Sequence, residues 1–85
     1  MRKEKYEKIV EELRVMFGGG YGACTGTVNT QERENRALVE IRTKDVILKT
    51  HKENMYFHGA LMNCDNYSLK VENDELVIIF GFEWI

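Results

Sequence analysis

Apolar residues recur every three or four positions in the first part of the chain, at Tyr6, Ile9, Val10, Leu13, Met16 and Phe17. On an α-helix, residues at this spacing form one apolar stripe, so the pattern predicts an amphipathic α-helix over residues 2–17. A glycine-rich segment, residues 18–22, follows it. We expect a simple connection there, because phosphate-binding loops lead into a helix N-terminus, whereas this segment follows a C-terminus.

After the glycines, apolar and polar residues alternate, which is typical of β-strands that have one face in water. The alternation predicts a hairpin whose strands cover residues 21–28 and 36–42. The polar segment 29–35 between them is expected to form a long solvated loop. Residues 45–50 continue the alternation, and we expect a further strand there.

The C-terminal part of the chain contains three apolar stretches separated by polar turns. Residues 55–64 are expected to form a long strand that bends at Gly59, because a glycine inside a strand typically marks a bend or a close backbone approach. Residues 67–72 alternate cleanly, which predicts a strand with one wet face. Residues 75–85 are apolar on both faces, so this strand is expected to be central, or covered on its second face by the helix or another subunit.

Together these elements predict an α+β fold in a single domain, residues 1–85. It comprises an N-terminal amphipathic helix and a strongly bent antiparallel sheet of five to six strands, or a small barrel, over residues 23–85. A chain of 85 residues holds one core, and a domain of this size buries only about 60% of the surface that its unfolded chain exposes. A partner subunit would add stability, so we expect a homo-oligomer.

The composition is that of an ordinary globular protein, with 44% hydrophobic and 31% charged residues. The net charge is −2, so a nucleic-acid role needs a local basic patch. The best candidate patch consists of basic residues around the middle strands, namely Arg33, Arg36, Arg42, Lys44, Lys49 and Lys52. The longest apolar run is far shorter than the ~20 residues that span a bilayer, and the charged N-terminus is unlike a signal peptide, so we expect a cytoplasmic protein without membrane contact.

Residue types that bind zinc occur at Cys24, His51, His58 and Cys64, without a C-x-x-C or H-x-x-x-H spacing. Because that spacing is missing, we predict no metal site. Reduced cysteines are the expectation for a cytoplasmic protein, so we also predict no disulfide. The sequence also lacks an enzyme motif, and a domain this small leaves little room for a concave pocket of several hundred Å³ within one subunit. We therefore predict no catalytic residues and no cofactor.

Two short patterns in the second half of the chain contain a glycine at a fixed spacing from apolar residues. The first is Gly-x-Leu-x-x-x-Asp before an apolar strand, formed by Gly59, Leu61 and Asp65. The second is an apolar pair, one residue, a glycine and another apolar pair, which residues 78–85 approximate. Over residues 45–85, the chain thereby resembles the Sm-like small β-barrel family, with the N-terminal helix in that family's usual place. The resemblance implies a barrel whose strands bend at the glycines.

The resemblance also implies a ring of subunits that pair strand to strand and bind nucleic acid, or a nucleotide-sized ligand, at the subunit junctions. On this basis the subunit interface is expected to include the apolar C-terminal residues Phe80, Phe82, Trp84 and Ile85. The ligand site is expected to comprise Asp65, Asn66, Tyr67, Arg42 and Lys49. Asn66 would form hydrogen bonds to a base of single-stranded nucleic acid, and Tyr67 would stack on it.

A small protein-interaction or inhibitory accessory protein, of the kind that mobile genetic elements encode, is the alternative function. The acidic balance favours it, and so do two departures from the Sm-like pattern. Ser68 and Phe80 occur where family members that bind uridine-rich RNA tend to carry an asparagine and a basic residue or pair. Such a protein would use acidic residues or its aromatic C-terminus against a protein target. Mass in solution and salt-dependent RNA binding separate the two hypotheses.

Overall fold

The computed structural model describes residues 1–17, 26–44 and 51–85, the last range with side chains from residue 55 onward. Its elements are two helices, α1 (Lys3–Phe17) and α2 (His51–Asn63), and four strands, β1 (Gly26–Glu32), β2 (Arg36–Thr43), β3 (Asn66–Glu72) and β4 (Glu75–Glu83). The strands are antiparallel in the order β1-β2-β4-β3. The α+β class is confirmed. In the described part of the chain the sheet has four strands rather than five to six, and it is open rather than closed into a barrel.

The sheet is built from two halves that share one plan, a helix followed by a β-hairpin. α1 precedes β1 and β2, and α2 precedes β3 and β4. The second strand of each hairpin lies in the centre, where β2 pairs with β4, and the first strand of each lies at an edge. β1 and β3 therefore occupy equivalent positions, so a difference in their burial arises from side chains and helix placement, not from topology.

α1 supplies most of the helical side of the core, as the apolar stripe predicts. The six stripe residues are all buried, namely Tyr6, Ile9, Val10, Leu13, Met16 and Phe17. They form one cluster with the inward side chains of the central strands, including Ala37, Val39, Ile41, Ile78, Phe80 and Phe82. Burial of a large apolar side chain contributes about 1.5–3 kcal/mol, so this cluster holds α1 against the sheet. The helix prediction over residues 2–17 is confirmed.

α2 replaces the strand that the sequence predicted over residues 55–64, and that prediction is wrong. The apolar residues of the segment recur every three or four positions and pack against the core as a helical face, namely Tyr56, Phe57, Ala60, Leu61 and Cys64. Gly59 lies inside the helix without a positive φ, so it is not a strand bend. Neither helix of the described residues is long and apolar enough to cross a membrane.

The first hairpin is longer than expected, because β1 continues through polar residues of the predicted loop to Glu32. The connection is confined to residues 33–35, and the main-chain N–H of Arg33 donates to the carbonyl of Arg36 at 2.7 Å. Polar side chains are tolerated in β1 because an edge strand faces water. The predicted strand over residues 45–50, and the start of the one predicted over 21–28, lie outside the described residues.

The second hairpin follows the predicted turn. Asn73 and Asp74 have φ values of 54° and 64°, and positive φ at both central residues defines a two-residue type I′ turn. Glu72 and Glu75 flank it as a pair, which sets the register of β3 on β4. β4 is central, as its apolar character on both faces predicts.

Candidate functional site

The predicted ligand residues do not gather at one surface. Asp65 immediately precedes β3, and its carboxylate accepts a hydrogen bond from the main-chain N–H of Glu83 in β4 at 2.6 Å. Asn66 and Tyr67 are neighbours in β3, so their side chains point to opposite faces of the sheet. By register, Arg42 is on the face of Asn66, away from the helices and from Tyr67. Lys49 lies outside the described residues.

Arg42 is held by carboxylates on this outer face. Its Nε lies 2.8 Å from Glu40 Oε1, and its Nη2 lies 3.3 Å from Glu72 Oε1. Lys70 Nζ lies 3.0 Å from the other oxygen of Glu72. The hydrogen bond to Glu40 is the main cause that raises the pKa of Arg42, and hydrogen bonds from Lys70 and then Arg42 lower the pKa of Glu72. Two basic and two acidic groups thus balance, which leaves no net positive charge to attract a phosphate.

A shallow cavity of about 300 Å³ lies at the end of the sheet where the first hairpin turns. Its lining includes Gln31, Arg33, Arg36, Leu38, Asn66 and Glu83. Asn66 lies against Gly81, where an added Cβ would overlap its side chain. The glycine of the second sequence pattern therefore serves the close approach of a neighbouring side chain. The polar groups of this cavity are two guanidinium groups and two side-chain amides, opposed by one carboxylate.

The aromatic residues predicted for a subunit interface are covered within the chain itself. Phe80 and Phe82 are fully buried, and Trp84 is nearly so. Trp84 stacks on Tyr6 of α1 with ring centroids 4.6 Å apart. Of that predicted set, only Ile85 is exposed. The physical reason is that α1 folds over the C-terminal end of β4, so the helix is the cover, of the two that the sequence left open.

β3 is exposed along nearly its whole length. Every residue from Asn66 to Val71 is exposed, and Glu72 is half-buried. Tyr67, Leu69 and Val71 pair with inward residues of β4, so they form a row on the helix side of the sheet. They are nevertheless 57%, 57% and 76% exposed. We call these three residues the β3 apolar row.

The equivalent edge, β1, is covered on the same side. Val28 is buried beneath α1, and the Tyr6 hydroxyl donates a hydrogen bond to Glu32 Oε1 at 3.4 Å. Burial, and then the charge of Glu32, raise the pKa of Tyr6 to about 12. α1 contacts both strands of its own hairpin, whereas α2 lies against α1 and β4. The second helix therefore leaves β3 open where the first helix closes β1.

Exposed apolar side chains are concentrated in the second half of the chain. Eight large ones are exposed among the described residues, namely Val15, Leu38, Met55, Met62, Tyr67, Leu69, Val71 and Ile85. Five of them belong to α2 or β3. Met55 and Met62 are seven residues apart, so they share one face of α2. The second half thus combines an uncovered strand with an uncovered helical face.

Some main-chain N–H and C=O groups of β3 face the open edge of the sheet, and two observations show which residues they belong to. The N–H of Trp84 donates to the carbonyl of Asn35 at 2.9 Å, which extends the ladder between β4 and β2. Because hydrogen-bonded pairs alternate along an antiparallel ladder, the even-numbered residues of β4 bond to β2 and the odd-numbered residues bond to β3. The type I′ turn gives the same assignment, since Glu72 and Glu75 flank it as a hydrogen-bonded pair.

It follows that the even-numbered residues of β3 bond to β4. The main-chain N–H and C=O groups of Tyr67, Leu69 and Val71 point away from the sheet at its edge. The described residues provide no neighbouring strand for them. The three residues of the apolar row are thus also the three whose main-chain groups face outward, and sequence alternation alone did not reveal this coincidence.

Cys64 does not have the surroundings of a reactive thiol. Its Sγ donates a hydrogen bond to the carbonyl of Leu61 at 3.3 Å, and burial raises its pKa. A protonated thiol is a poor nucleophile. No group of three or more metal-binding side chains occurs in the part of the chain that the structure describes. Cys24 and the side chain of His51 lie outside that part.

Comparison of the chain with protein-family models, with curated proteins and with solved structures gave no match. The Sm-like resemblance stays a prediction. Gly59 and Leu61 of its first pattern lie in α2, and its second pattern begins within the central strand β4.

Proposed function

We propose that the chain is a non-enzymatic protein-binding module that docks an extended segment of a protein against β3. The observation that carries this proposal is the coincidence, on Tyr67, Leu69 and Val71, of exposed apolar side chains and outward main-chain groups. In strand addition, main-chain hydrogen bonds supply affinity and alternate side chains supply specificity. An uncovered edge is also a hazard, because it invites unwanted pairing, and a docked segment would remove it.

The chemistry of β3 favours a polypeptide over a nucleic acid. A ladder of alternating N–H and C=O groups matches another main chain, whereas phosphates require a surplus of donors and positive charge. The one basic residue of β3, Lys70, already pairs with Glu72. The apolar row would accept alternate side chains of the incoming strand.

An oligomeric module that binds single-stranded nucleic acid or a nucleotide, as the Sm-like resemblance implies, is the second candidate. The cavity that holds Arg33, Arg36 and Asn66 favours it. The arginines would contact phosphate and Asn66 would contact a base edge, while Tyr67 would belong to the opposite face. The five- to six-stranded barrel is part of the same proposal, since closure needs strands in addition to the four described.

Selection from a displayed library of random peptides tests the first candidate. We expect the selected peptides to carry alternating apolar residues and to shift the amide resonances of residues 66–72. Leu69→Lys should weaken their binding about tenfold or more. The matched control is Leu38→Lys, which places the same charge at an exposed leucine on the outer face and should leave binding unchanged. Equal binding by both variants, or resonance shifts confined to other elements, would overturn the proposal.

Fluorescent oligouridine at two salt concentrations tests the second candidate. If that candidate holds, binding weakens as salt increases, and Arg36→Gln weakens it further. Arg14→Gln is the matched control, because Arg14 is an exposed arginine of α1 that does not line the cavity. Absence of binding at low salt would end the second candidate and leave the first intact.

A further inference from the structure

We infer that the segment docked on β3 is β3 of a second copy, so that two chains form a symmetric dimer with one continuous sheet. This inference rests on the proposed function, because it names the partner of the same edge. Two four-stranded sheets joined at this edge would give eight strands in the order β1-β2-β4-β3-β3-β4-β2-β1, with all four helices on one side.

The position of the two-fold axis follows from the sequence of β3. Two identical antiparallel strands are related by an axis through the centre of their pairing, and Leu69 is the central residue of Asn66–Glu72. With the axis at Leu69, each Leu69 lies opposite its counterpart. Tyr67 of one copy then lies opposite Val71 of the second copy. In this register the full length of the strand is paired.

The main-chain groups agree with the same register. The main-chain N–H and C=O groups of Tyr67, Leu69 and Val71 face the open edge. The register places these three residues only opposite one another. Each such pair exchanges two hydrogen bonds, which gives about six across the interface. A slip of one residue would put outward groups opposite inward ones, and a slip of two would leave one end unpaired. The axis at Leu69 therefore satisfies the most main-chain groups.

The side chains are self-complementary in this register. On the helix side, apolar residues meet apolar residues, and Tyr67 with Val71 is an aromatic and β-branched pair of the kind that stabilises sheets. On the outer side, Ser68 lies opposite Lys70, so no like charges are directly opposed. Lys70 also keeps its ion pair with Glu72 in its own strand.

β1 lacks these properties. Its central residue is Asn29, and its inward side chains are either buried by α1 or polar. Pairing of two β1 strands would therefore bring together no apolar row. Of the two edges of the described sheet, β3 is the one suited to a second copy. The exposed methionines Met55 and Met62 of α2 add apolar surface in the same half of the chain.

Cross-linking at the proposed axis tests the inference in the full chain with both cysteines replaced, Cys24→Ser and Cys64→Ser. In that background, Leu69→Cys places two thiols at residues whose Cα atoms would be about 5.5 Å apart. A short thiol cross-linker should then give a covalent dimer. Asn29→Cys, at the centre of the other edge, is the control and should stay monomeric. Equal cross-linking at both positions, or a stronger product at Asn29→Cys, would overturn the inference.

Sedimentation equilibrium tests the same inference without introduced cysteines. The chain has a mass of 10.0 kDa, and we expect twice that mass at high concentration, with dissociation on dilution. Leu69→Lys should be monomeric with an unchanged circular dichroism spectrum, and Leu38→Lys should remain dimeric. A wild-type chain that is monomeric up to about 1 mM would refute the second copy as partner. Displayed peptides that still bind β3 in such a monomer would leave the proposed function standing, and peptides that do not would refute both.

Discussion

Replacement of Gly59 by alanine should lower stability if residues 55–64 form a bent strand and raise it if they form a helix. This substitution therefore tests whether the segment is helical. Gly59 lies within α2, and an added Cβ would meet no atom within 4 Å. Alanine favours a helix interior over glycine by about 1 kcal/mol. We therefore expect Gly59→Ala to raise the free energy of unfolding by about that amount in urea denaturation.

The control for this substitution is Gly26→Ala in β1. An added Cβ there would overlap the main-chain carbonyl of Arg42, so the same change should lower the free energy of unfolding. If Gly59→Ala also lowered it, the segment would need the conformational freedom of glycine, as the bent strand predicts.

Tyr6 gives the chain an alkaline dependence of stability. Burial and then the Glu32 carboxylate raise its pKa from 10.0 to about 12 in the folded chain. Between these values the unfolded chain has lost the phenolic proton and the folded chain has kept it, so stability decreases as pH rises. The contribution is fully present below pH 10 and is lost through pH 12.

Tyr6→Phe should therefore flatten the decrease in stability over this range of pH, measured by urea denaturation at fixed steps. It should also remove the component near pH 12 from the ultraviolet titration of the tyrosinate band. Tyr67→Phe is the control, because that ring is exposed on β3. An unchanged alkaline slope in Tyr6→Phe would contradict this account.

At the scale of elements, the sequence predicts those that the core defines. The apolar stripe of α1 keeps the same helical spacing over all fifteen residues of the helix. The residues of β4 are apolar on both faces, as a central strand requires. The turn at Asn73 and Asp74 has residues that tolerate positive φ. These local signals agree with the final packing, which is why α1, β2, β3 and β4 are predicted near their observed positions.

α2 was missed because its local signals conflict. A glycine in the middle of a segment lowers helix propensity, and only Ala60 of this helix is buried fully among its described side chains. The helical period of Phe57, Ala60 and Leu61 was present in the sequence. Whether this pattern forms a helix depends on contacts of the segment with α1 and β4, which the local sequence does not show.

The turn between β3 and β4 makes a prediction for this hairpin. Asp74 has a φ of 64°, a conformation that glycine adopts at less cost than other residues. Asp74→Gly creates an Asn-Gly pair, the preferred type I′ sequence, so we expect the free energy of unfolding to rise by about 0.5–1 kcal/mol. Asp74→Val should lower it, because β-branched residues disfavour positive φ. Urea denaturation of both variants checks the turn; the opposite order would contradict the type I′ assignment.

At the scale of the whole molecule, the candidate site arises from an asymmetry between two equivalent halves. Alternation predicted that Tyr67, Leu69 and Val71 would share one face, and this is confirmed. The sequence did not indicate that this face would be uncovered, because that depends on where α2 lies. The C-terminal aromatic residues illustrate the converse. The sequence left open whether the helix or another subunit would cover them, and they pack against the chain's own α1.

The proposed dimer predicts an alternating pattern of amide hydrogen exchange along β3. In the monomer, the amides of Ser68 and Lys70 are bonded to β4, whereas those of Tyr67, Leu69 and Val71 face outward. At low concentration we therefore expect slow exchange at the even-numbered positions and fast exchange at the odd-numbered ones. Raising the concentration should slow exchange at the odd-numbered positions, because the second copy would pair with those groups.

Residue-resolved nuclear magnetic resonance measures this pattern at two concentrations. The outward residues of β1 serve as the internal reference, since that edge should not change with concentration. Slowed exchange at β1, or equal slowing at neighbouring odd and even positions of β3, would show that association occurs by another surface. Alternate protection that depends on concentration requires a strand at the edge of β3, because only a paired main chain protects every second amide of an edge strand.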